Sequence, residues 1–567
     1  MAKRRLTSSE VVDMIFSDDI PLVPLQSDDE VSEASDSEDE FTPDLVVEEV
    51  IHTPEEEEDM MAPQDLVWET ADETHQPFIH PFDDSGSGVT TTLPVMSESE
   101  CFKLFMSEDF VGNIAEETNK YAHHLKQQGG GRGKMQKWVN TTIAEMFTFL
   151  VTVLLMALVR KNTVKEYWSR DPMFFTPFFH TLFSQDRFLL ILRSLHITDP
   201  NSIIPRDPLG KIRPVISSLT NSFKQVFTPY RKLCIDESLM LWKGRLSFRQ
   251  FIPSKRSRFG IKFFLLCDVR TGYLLDMIVY TGSSSDIQLV PGLGVTGSVV
   301  TTLLRPFLGR GHALYVDNWY TSPVLFLHLF KHKTGACGTV RKGRKGLPVF
   351  KNKMKKGEVD YRKAGQLLAL KWHDKRDVHL LSTMSKATVV DTGRVDYTGA
   401  PKIKPSCVME YNGSMGAVDR FDMKNSFVDC TRKTLKWYKK VFFHLVDCAI
   451  HNAQIVHQQL TGRVTPSQVF RRELMRQLLE KYHCPRNAPT AGRLSLDNPL
   501  RLTGRHFPRE VPKTTAQGDS TRRQCKVCLH TTRRPRQRKM TRIFCAPCDA
   551  ALCAFPCFEE YHTLKLY

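Results

Sequence analysis

The chain has 567 residues, and its 41% hydrophobic and 25% charged residues exclude a collagenous or wholly disordered polypeptide. Lysine and arginine outnumber aspartate and glutamate by 78 to 63, a formal net charge of +15. That charge is split: residues 1–100 hold 28 acidic and three basic side chains (Lys3, Arg4, Arg5), and the rest hold 35 acidic and 75 basic ones, a body that calls for a polyanion such as nucleic acid.

Residues 1–97 read as a disordered acidic tail, because runs such as SDDE, SDSEDE and EEEED repel themselves out of a compact state. Ser27, Ser35 and Ser37 stand directly before acidic residues and suit acidic-directed phosphorylation. Met1 leads into Ala-Lys-Arg-Arg and polar sequence, without the apolar run of an export signal. From 98 to 230 the pattern is helical: Phe102, Phe105, Phe110 and Ile114 recur at helix spacing, and MFTFLVTVLLMALV follows at 146–159. As a helix that apolar run rises about 21 Å, short of the roughly 30 Å of a bilayer core, so it predicts a buried helix and no membrane partner. The patch Gly129–Lys134 has no strand before it and reads as a flexible basic linker rather than a phosphate loop.

From 231 the signal turns to strands. LCIDESLML, GIKFFLLCDV and GYLLDMIVYT follow closely enough for an antiparallel meander, and HALYVDNWYT comes next. A basic segment at 340–356 and the alternating run LLALKWHDKRDVHLLSTM follow. Helix returns around WYKKVFFHLVDCAIHNAQIVHQQL, and the Pro- and Gly-punctuated stretch 485–520 reads as extended.

Four carboxylates sit at strand exits or tight turns: Asp236 in LCIDES, Asp317 in LYVDNWY, and Asp419 and Asp422 in GAVDRFD. Taken singly, such an Asp is most often a turn residue or helix cap. Buried together, carboxylates repel unless divalent cations neutralise them, and Mg²⁺ or Mn²⁺ with DNA phosphates suits such a set. Basic and aromatic residues interleave in GRLSFRQFIPSKRSRFGIK, making Arg245, Arg249, Lys255, Arg256 and Arg258 candidate phosphate contacts.

Of the 14 cysteines, six lie between Cys525 and Cys557. Cys525-x2-Cys528 and Cys545-x2-Cys548, followed by Cys553, Cys557 and His562, read as Zn²⁺ ligands; His530 brings the set to eight, enough for two tetrahedral sites in a cross-braced arrangement. A module of about 40 residues is too small for a sufficient core, so its stability depends on metal. Arg533, Arg534 and Arg536, in RRPRQRK between the pairs, suit either DNA binding or a nuclear import signal.

The order CIDES, PSKRSRFGIKFFLLCD, YVDNWYTS, YNGSMGAVDRFD and LKWYKKVFFHLVD, with EYWSRDPMFFTP and DRFLLILRSLHITD upstream and the cysteine-rich terminus, resembles the piggyBac transposase family over about 98–567. The resemblance implies an α/β RNase H-like catalytic core (231–428) with an inserted subdomain (about 344–404). Mainly helical DNA-binding and dimerisation segments (98–230 and 429–520) would flank it, and a cysteine-rich zinc module (521–567) would end the chain. It makes Asp236, on the first strand, Asp317, on the fourth, and Asp419, on a helix, the metal-binding catalytic aspartates. Asp422 matches a further family aspartate, with a local salt bridge to Arg420 or Lys424 as its alternative role. Trp437 matches a tryptophan that helps unstack DNA, with core packing as its alternative. The implied activity is nuclear cut-and-paste transposition by a homodimer acting on double-stranded DNA: nicking at terminal inverted repeats, hairpin formation, and strand transfer at TTAA targets. A domesticated DNA-binding relative without transposition is the alternative; a zinc-dependent chromatin reader or ubiquitin ligase would make no use of the carboxylates.

Overall fold

The computed structural model describes residues 66–92, 96–128, 133–199, 203–252, 258–395, 399, 401–430, 436–483, 506–512, 521–564 and 566–567. Of the stretch expected to be disordered, 1–65 lies outside these residues, and the part from 66 onward is a strap laid along the body. Strand β1 (Glu69–Thr70) pairs with Lys363 and Arg362 at a sheet edge. The Trp68 indole N–H donates to the Gly346 carbonyl at 3.0 Å, Phe78 stands edge-on to Phe330, and Phe82 lies against His312. Gly311, at φ +83°, lets the strap pass so closely that a Cβ there would fall 1.9 Å from the Pro81 carbonyl oxygen. Farther along, Gly88–Val89 pairs with Phe227–Thr228. The strap is ordered by these aromatic anchors, which the acidic composition of the region conceals.

Six helices follow: α1 (Glu98–Lys103), α2 (Glu108–Gln128), α3 (Ile143–Leu158), α4 (Pro177–Leu182), α5 (Gln185–Ser194) and α6 (Arg213–Val226). Helix α3 is the apolar run. Thr142 caps it by accepting from the Glu145 N–H, and 11 of its 16 residues are buried, as a helix apolar on every face requires. Among the described residues no helix is long and apolar enough to cross a membrane. The glycine patch falls outside the described residues up to 132; Gly133 leads into a short turn of 3-10 helix, Lys134–Lys137.

The strands β2 (Lys232–Leu241), β3 (Gln250–Phe251), β4 (Phe259–Asp268) and β5 (Leu274–Val279) come next, and β2, β4 and β5 form the antiparallel meander that their spacing predicts. After α7 (Gly294–Leu304), strand β6 (Ala313–Val316) pairs parallel to β2; after α8 (Pro323–Lys331), β7 (Gly335–Thr339) pairs parallel to β6. Parallel pairing needs such crossovers, and they cover the sheet with helices. The order β5-β4-β2-β6-β7, three antiparallel strands and then two parallel ones, is the RNase H-like core.

The expected insertion is continuous with that core. Strands β8 (Val359–Ala364), β9 (Leu367–His373) and β10 (Asp377–Ser382) make a meander whose last strand pairs with β7, extending one sheet to ten strands. The outer edge of β7 would otherwise present unpaired backbone groups. Among the described residues of the insertion, the ribbon Val389–Val395 with Pro401–Pro405 forms a two-stranded sheet apart from the ten-stranded one.

Helices α9 (Ser406–Met415) and α10 (Ala417–Phe427) then lie on β2, and α11 (Trp437–Thr461) and α12 (Ser467–Tyr482) return to the first helices. Helix α11 packs on α1 and α6, and α12 on α1 and α3, where Tyr482 stacks on Phe147 at 4.3 Å. The buried Lys439 ammonium caps α5, donating to the Leu192 and Arg193 carbonyls at 2.8 Å each. The two helical segments and the sheet therefore share one core.

The terminal module has its own small core. Its strands Pro508–Glu510, Ile543–Cys545 and Ala550–Ala551 form one sheet, with the helices α13 (Lys526–His530) and α14 (Cys557–Thr563) beside it. Part of the stretch expected to be an extended linker, 506–512, thus belongs to the module, which does not begin at 521.

Candidate active site and zinc module

Ile235 of β2 is in parallel register with Val316 of β6, so the residues that follow, Asp236 within β2 and Asp317 just past the end of β6, stand side by side. Strand β6 stops at this point. The Trp319 N–H donates to Asp317 Oδ1 at 2.9 Å and the Thr321 hydroxyl to the Asp317 carbonyl at 2.8 Å, winding the chain into a turn. Strand β2 runs on, and its next side chain, Glu237, joins the pair. One carboxylate oxygen from each of Asp236, Glu237 and Asp317 lies within 4.8 Å of the others. The sequence reading missed Glu237 because strand alternation sends neighbours to opposite faces; adjacency to Asp236 in CIDES was the only signal.

Lys262, from β4, meets this group. Its Nζ lies 3.4 Å from the Glu237 carboxylate and 4.6, 4.7 and 5.7 Å from the ring centroids of Trp319, Phe264 and Tyr280. Burial, reinforced by the Glu237 charge, pushes the Asp317 carboxyl up to about 6; the Trp319 and Tyr320 N–H groups and Lys262 counter only part of that rise. The donors are hard oxygens with no Cys or His among them, and the charge crowding is what a divalent cation relieves, so the residues fit a cation of the Mg²⁺ or Mn²⁺ class.

Helix α10 supplies the other two predicted aspartates. Asp422 accepts a hydrogen bond from the Ser238 hydroxyl at 2.6 Å, and Ser238 shares the strand face of Asp236. That bond ties Asp422 to the strand that carries Asp236. Asp419 is exposed and lies outside the three-carboxylate group. At the end of α9 Cys234 Sγ reaches the Met415 carbonyl at 3.0 Å, so Asp419 falls between two anchors of α9–α10 on β2 that flank Asp236.

Among the candidate DNA contacts, Arg245 and Arg258 are exposed, while Lys255 and Arg256 lie outside the described residues. Arg249 is engaged in holding its own loop: it donates to the Lys243 and Gly244 carbonyls at 3.1 and 3.3 Å, and its guanidinium lies 5.0 Å from the Phe259 ring centroid. Trp437, half-buried at the start of α11, sits edge-on to Phe248 at 5.2 Å and so ties this hairpin region to the helix.

In the terminal module two sets of four ligands interleave along the chain: Cys525, Cys528, Cys553 and Cys557, and His506, Cys545, Cys548 and His562. The Cys528 sulfur lies 3.5 Å from that of Cys557 and 3.9 Å from that of Cys553, too far for disulfides. His562 places Nδ1 at 2.7 Å from the Phe558 carbonyl, a contact that commits Nδ1–H and leaves Nε2, 3.6 Å from Cys548 Sγ, to face the metal position. Burial raises the Cys525 thiol, but the N–H groups of Cys528 and Cys553 outweigh it and hold the thiol below its ordinary range. His530 is in neither set; His506 takes the eighth place, because Pro508–Glu510 pairs with Ile543–Cys545 and carries it beside Cys545 and Cys548 at 3.5 Å from each sulfur. Arg534 is also corrected from a free DNA contact: both terminal nitrogens reach Glu560 at 2.8 Å and one reaches Cys557 Sγ at 3.2 Å. Arg533 and Arg536 remain exposed.

The family model described as Transposase IS4 matches residues 97–454, and the one described as DDE_Tnp_1-like zinc finger matches 504–563, starting before His506. The human PiggyBac transposable element-derived protein 3 is 26% identical over 518 residues, covering 88% of this chain and 81% of that protein. The human PiggyBac transposable element-derived protein 5 is 23% identical over 394 residues, covering 66% and 74%. A piggyBac transposase, solved by cryo-EM in a synaptic complex with hairpin DNA, superposes with a TM-score of 0.63 at 24% identity, over 82% of this chain and 97% of that one.

Proposed function

Because this chain belongs to the Transposase IS4 family, in its piggyBac group, we propose that it is a cut-and-paste DNA transposase acting at TTAA sites. The observation that carries the reading is the side-by-side placement of Asp236 and Asp317 by the β2–β6 register.

In this proposal Asp236, Glu237 and Asp317 hold Mg²⁺ or Mn²⁺, with Asp419 brought in from the family pattern as a further ligand. When bound, the cation neutralises charge on the attacking and leaving oxygens at phosphorus. The protein's part is positioning. The Trp319 N–H fixes one oxygen of Asp317, Lys262 pairs with Glu237, and Ser238 fixes Asp422. In the same proposal Arg245 and Arg258 contact backbone phosphates, and Trp437 takes the strand-unstacking role of the family tryptophan it matches. Water nicks the transposon end, the freed 3′-hydroxyl attacks the opposite strand to give a hairpin, and after hairpin opening the 3′-hydroxyl joins target DNA. Each step is an in-line displacement at phosphorus, so one carboxylate set serves all of them without a covalent protein intermediate. Two ends must be held together, which we assign to a homodimer, and the exposed basic stretch around Arg533 and Arg536 suits nuclear import.

Strand cleavage tests this. Purified full-length chain with Mn²⁺ should nick a labelled duplex that carries the gene's own flanking repeat at the repeat end, and Asp236→Ala should not. Equal nicking by both proteins would remove the assignment.

A further inference from the structure

Two clefts open side by side where the turn after β4 meets α10 and the start of β2. One, of about 440 Å³, is walled by Arg270, Arg420 and Lys424. The other, of about 370 Å³, is lined by Arg231 and Lys232 with Arg270 again, and a single carboxylate, Asp84, at its rim. Val269 and Arg270 line both, so the two clefts adjoin at Arg270 and their cations follow one another along a track.

The cations along it are held but not neutralised. The Arg270 guanidinium lies 4.2 Å from the Tyr230 ring centroid, a contact that fixes its plane and leaves its N–H edge available. Arg420 and Lys424 are one turn apart on α10, on the flank away from Asp419 and Asp422. Among the described residues none of Arg270, Arg420 and Lys424 makes an ion pair with a carboxylate. Three like charges around a concave wall repel one another, and a polyanion threaded through the cleft removes that repulsion.

We propose that this track, Lys232–Arg270–Arg420–Lys424, binds a DNA phosphate backbone as a site separate from the hairpin around Arg245 and Arg258. The identity of the ligand rests on the transposase reading; the site rests on the clefts. It reads no sequence, because its contacts are charges facing phosphates rather than donors facing base edges.

Salt-dependent binding of the full chain to a fluorescent random-sequence duplex tests it. For Arg270→Gln/Lys424→Gln, the slope of log Kd against log salt should fall in magnitude by about 2, near 1 for each phosphate that is no longer neutralised. Arg270→Lys, which keeps the charge, should retain the wild-type slope. The proposal is overturned if the double variant, with a wild-type melting curve, keeps wild-type affinity and slope, or if Arg270→Lys weakens binding as much as the double variant does. In either case wild-type binding and repeat-end nicking would persist, so the transposase reading would survive the loss of the track. A wild-type chain that binds no duplex overturns both.

Discussion

The Glu237 carboxylate stands 3.4 Å from the Lys262 ammonium, and Trp319, whose backbone N–H fixes Asp317, forms part of the aromatic box around that ammonium. One cation thus stabilises two of the three clustered carboxylates, and it is itself almost fully buried. Replacing it by Met leaves the carboxylates without a countercharge, which should cost about 3 kcal/mol of stability, judged from broken buried pairs. Added Mn²⁺ supplies the missing charge, so in urea unfolding it should stabilise Lys262→Met more than wild type. Equal stabilisation of both would show that Lys262 does not act on the cation site.

Asp317 contributes a pH dependence of its own. Its carboxyl is raised to about 6, so between the ordinary carboxylate range and about 6 the folded chain binds more protons than the unfolded one. Stability of the metal-free protein should therefore fall as pH rises through that window. Below about 6 a cation must displace the proton, and Mn²⁺ affinity should drop by about tenfold per pH unit. Calorimetric titration at several pH values checks this, and Asp317→Asn should remove the share of the metal-free pH dependence that this carboxyl contributes, leaving that of other buried carboxyls such as Asp447.

The zinc assignment separates two histidines. Metal analysis of dialysed protein should find about two zinc ions per chain. His506→Ala should lose about one of them, and His530→Ala should lose none. The reverse pattern would restore His530 to the ligand set.

Asp447 and Arg471 form a pair between α11 and α12 at 2.8 Å, with side chains 2% and 3% exposed. Burial pushes the Asp447 carboxyl up, Arg471 opposes that, and the Cys430 N–H completes its shell. Arg471→Met should cost about 3–5 kcal/mol by leaving the acid unpaired. Asp447→Asn/Arg471→Met should recover much of it, as read from urea midpoints.

Short-range pattern made much of this molecule legible. The apolar runs mark β2, β4 and β5, the apolar stretch at 146–159 marks α3, and two paired-cysteine motifs mark the metal module. Asp236 and Asp317 were visible through their motifs, CIDES and YVDNWY, and the family order these keep; the expected strand exit holds for Asp317, whereas Asp236 lies inside β2. What stayed hidden depends on contacts between distant segments. Glu237 joins the cluster because β6 stops where β2 continues. His506 becomes a candidate ligand only through the pairing of Pro508–Glu510 with Ile543–Cys545. Arg534 looked like a free cation because Glu560 is 26 residues away. The strap at 66–92 carries too few apolar residues to fold by itself, and it is placed by surfaces such as Gly311 that the rest of the chain provides.

Plasmid excision in cells bears most directly on the central claim, with a donor cassette bounded by the gene's own genomic flanks. The side-by-side aspartates predict precise rejoining at a single TTAA with the wild-type chain and none with Asp236→Ala or Asp317→Ala. Excision by either variant, or none by a folded nuclear wild-type chain on intact inverted repeats, would contradict it.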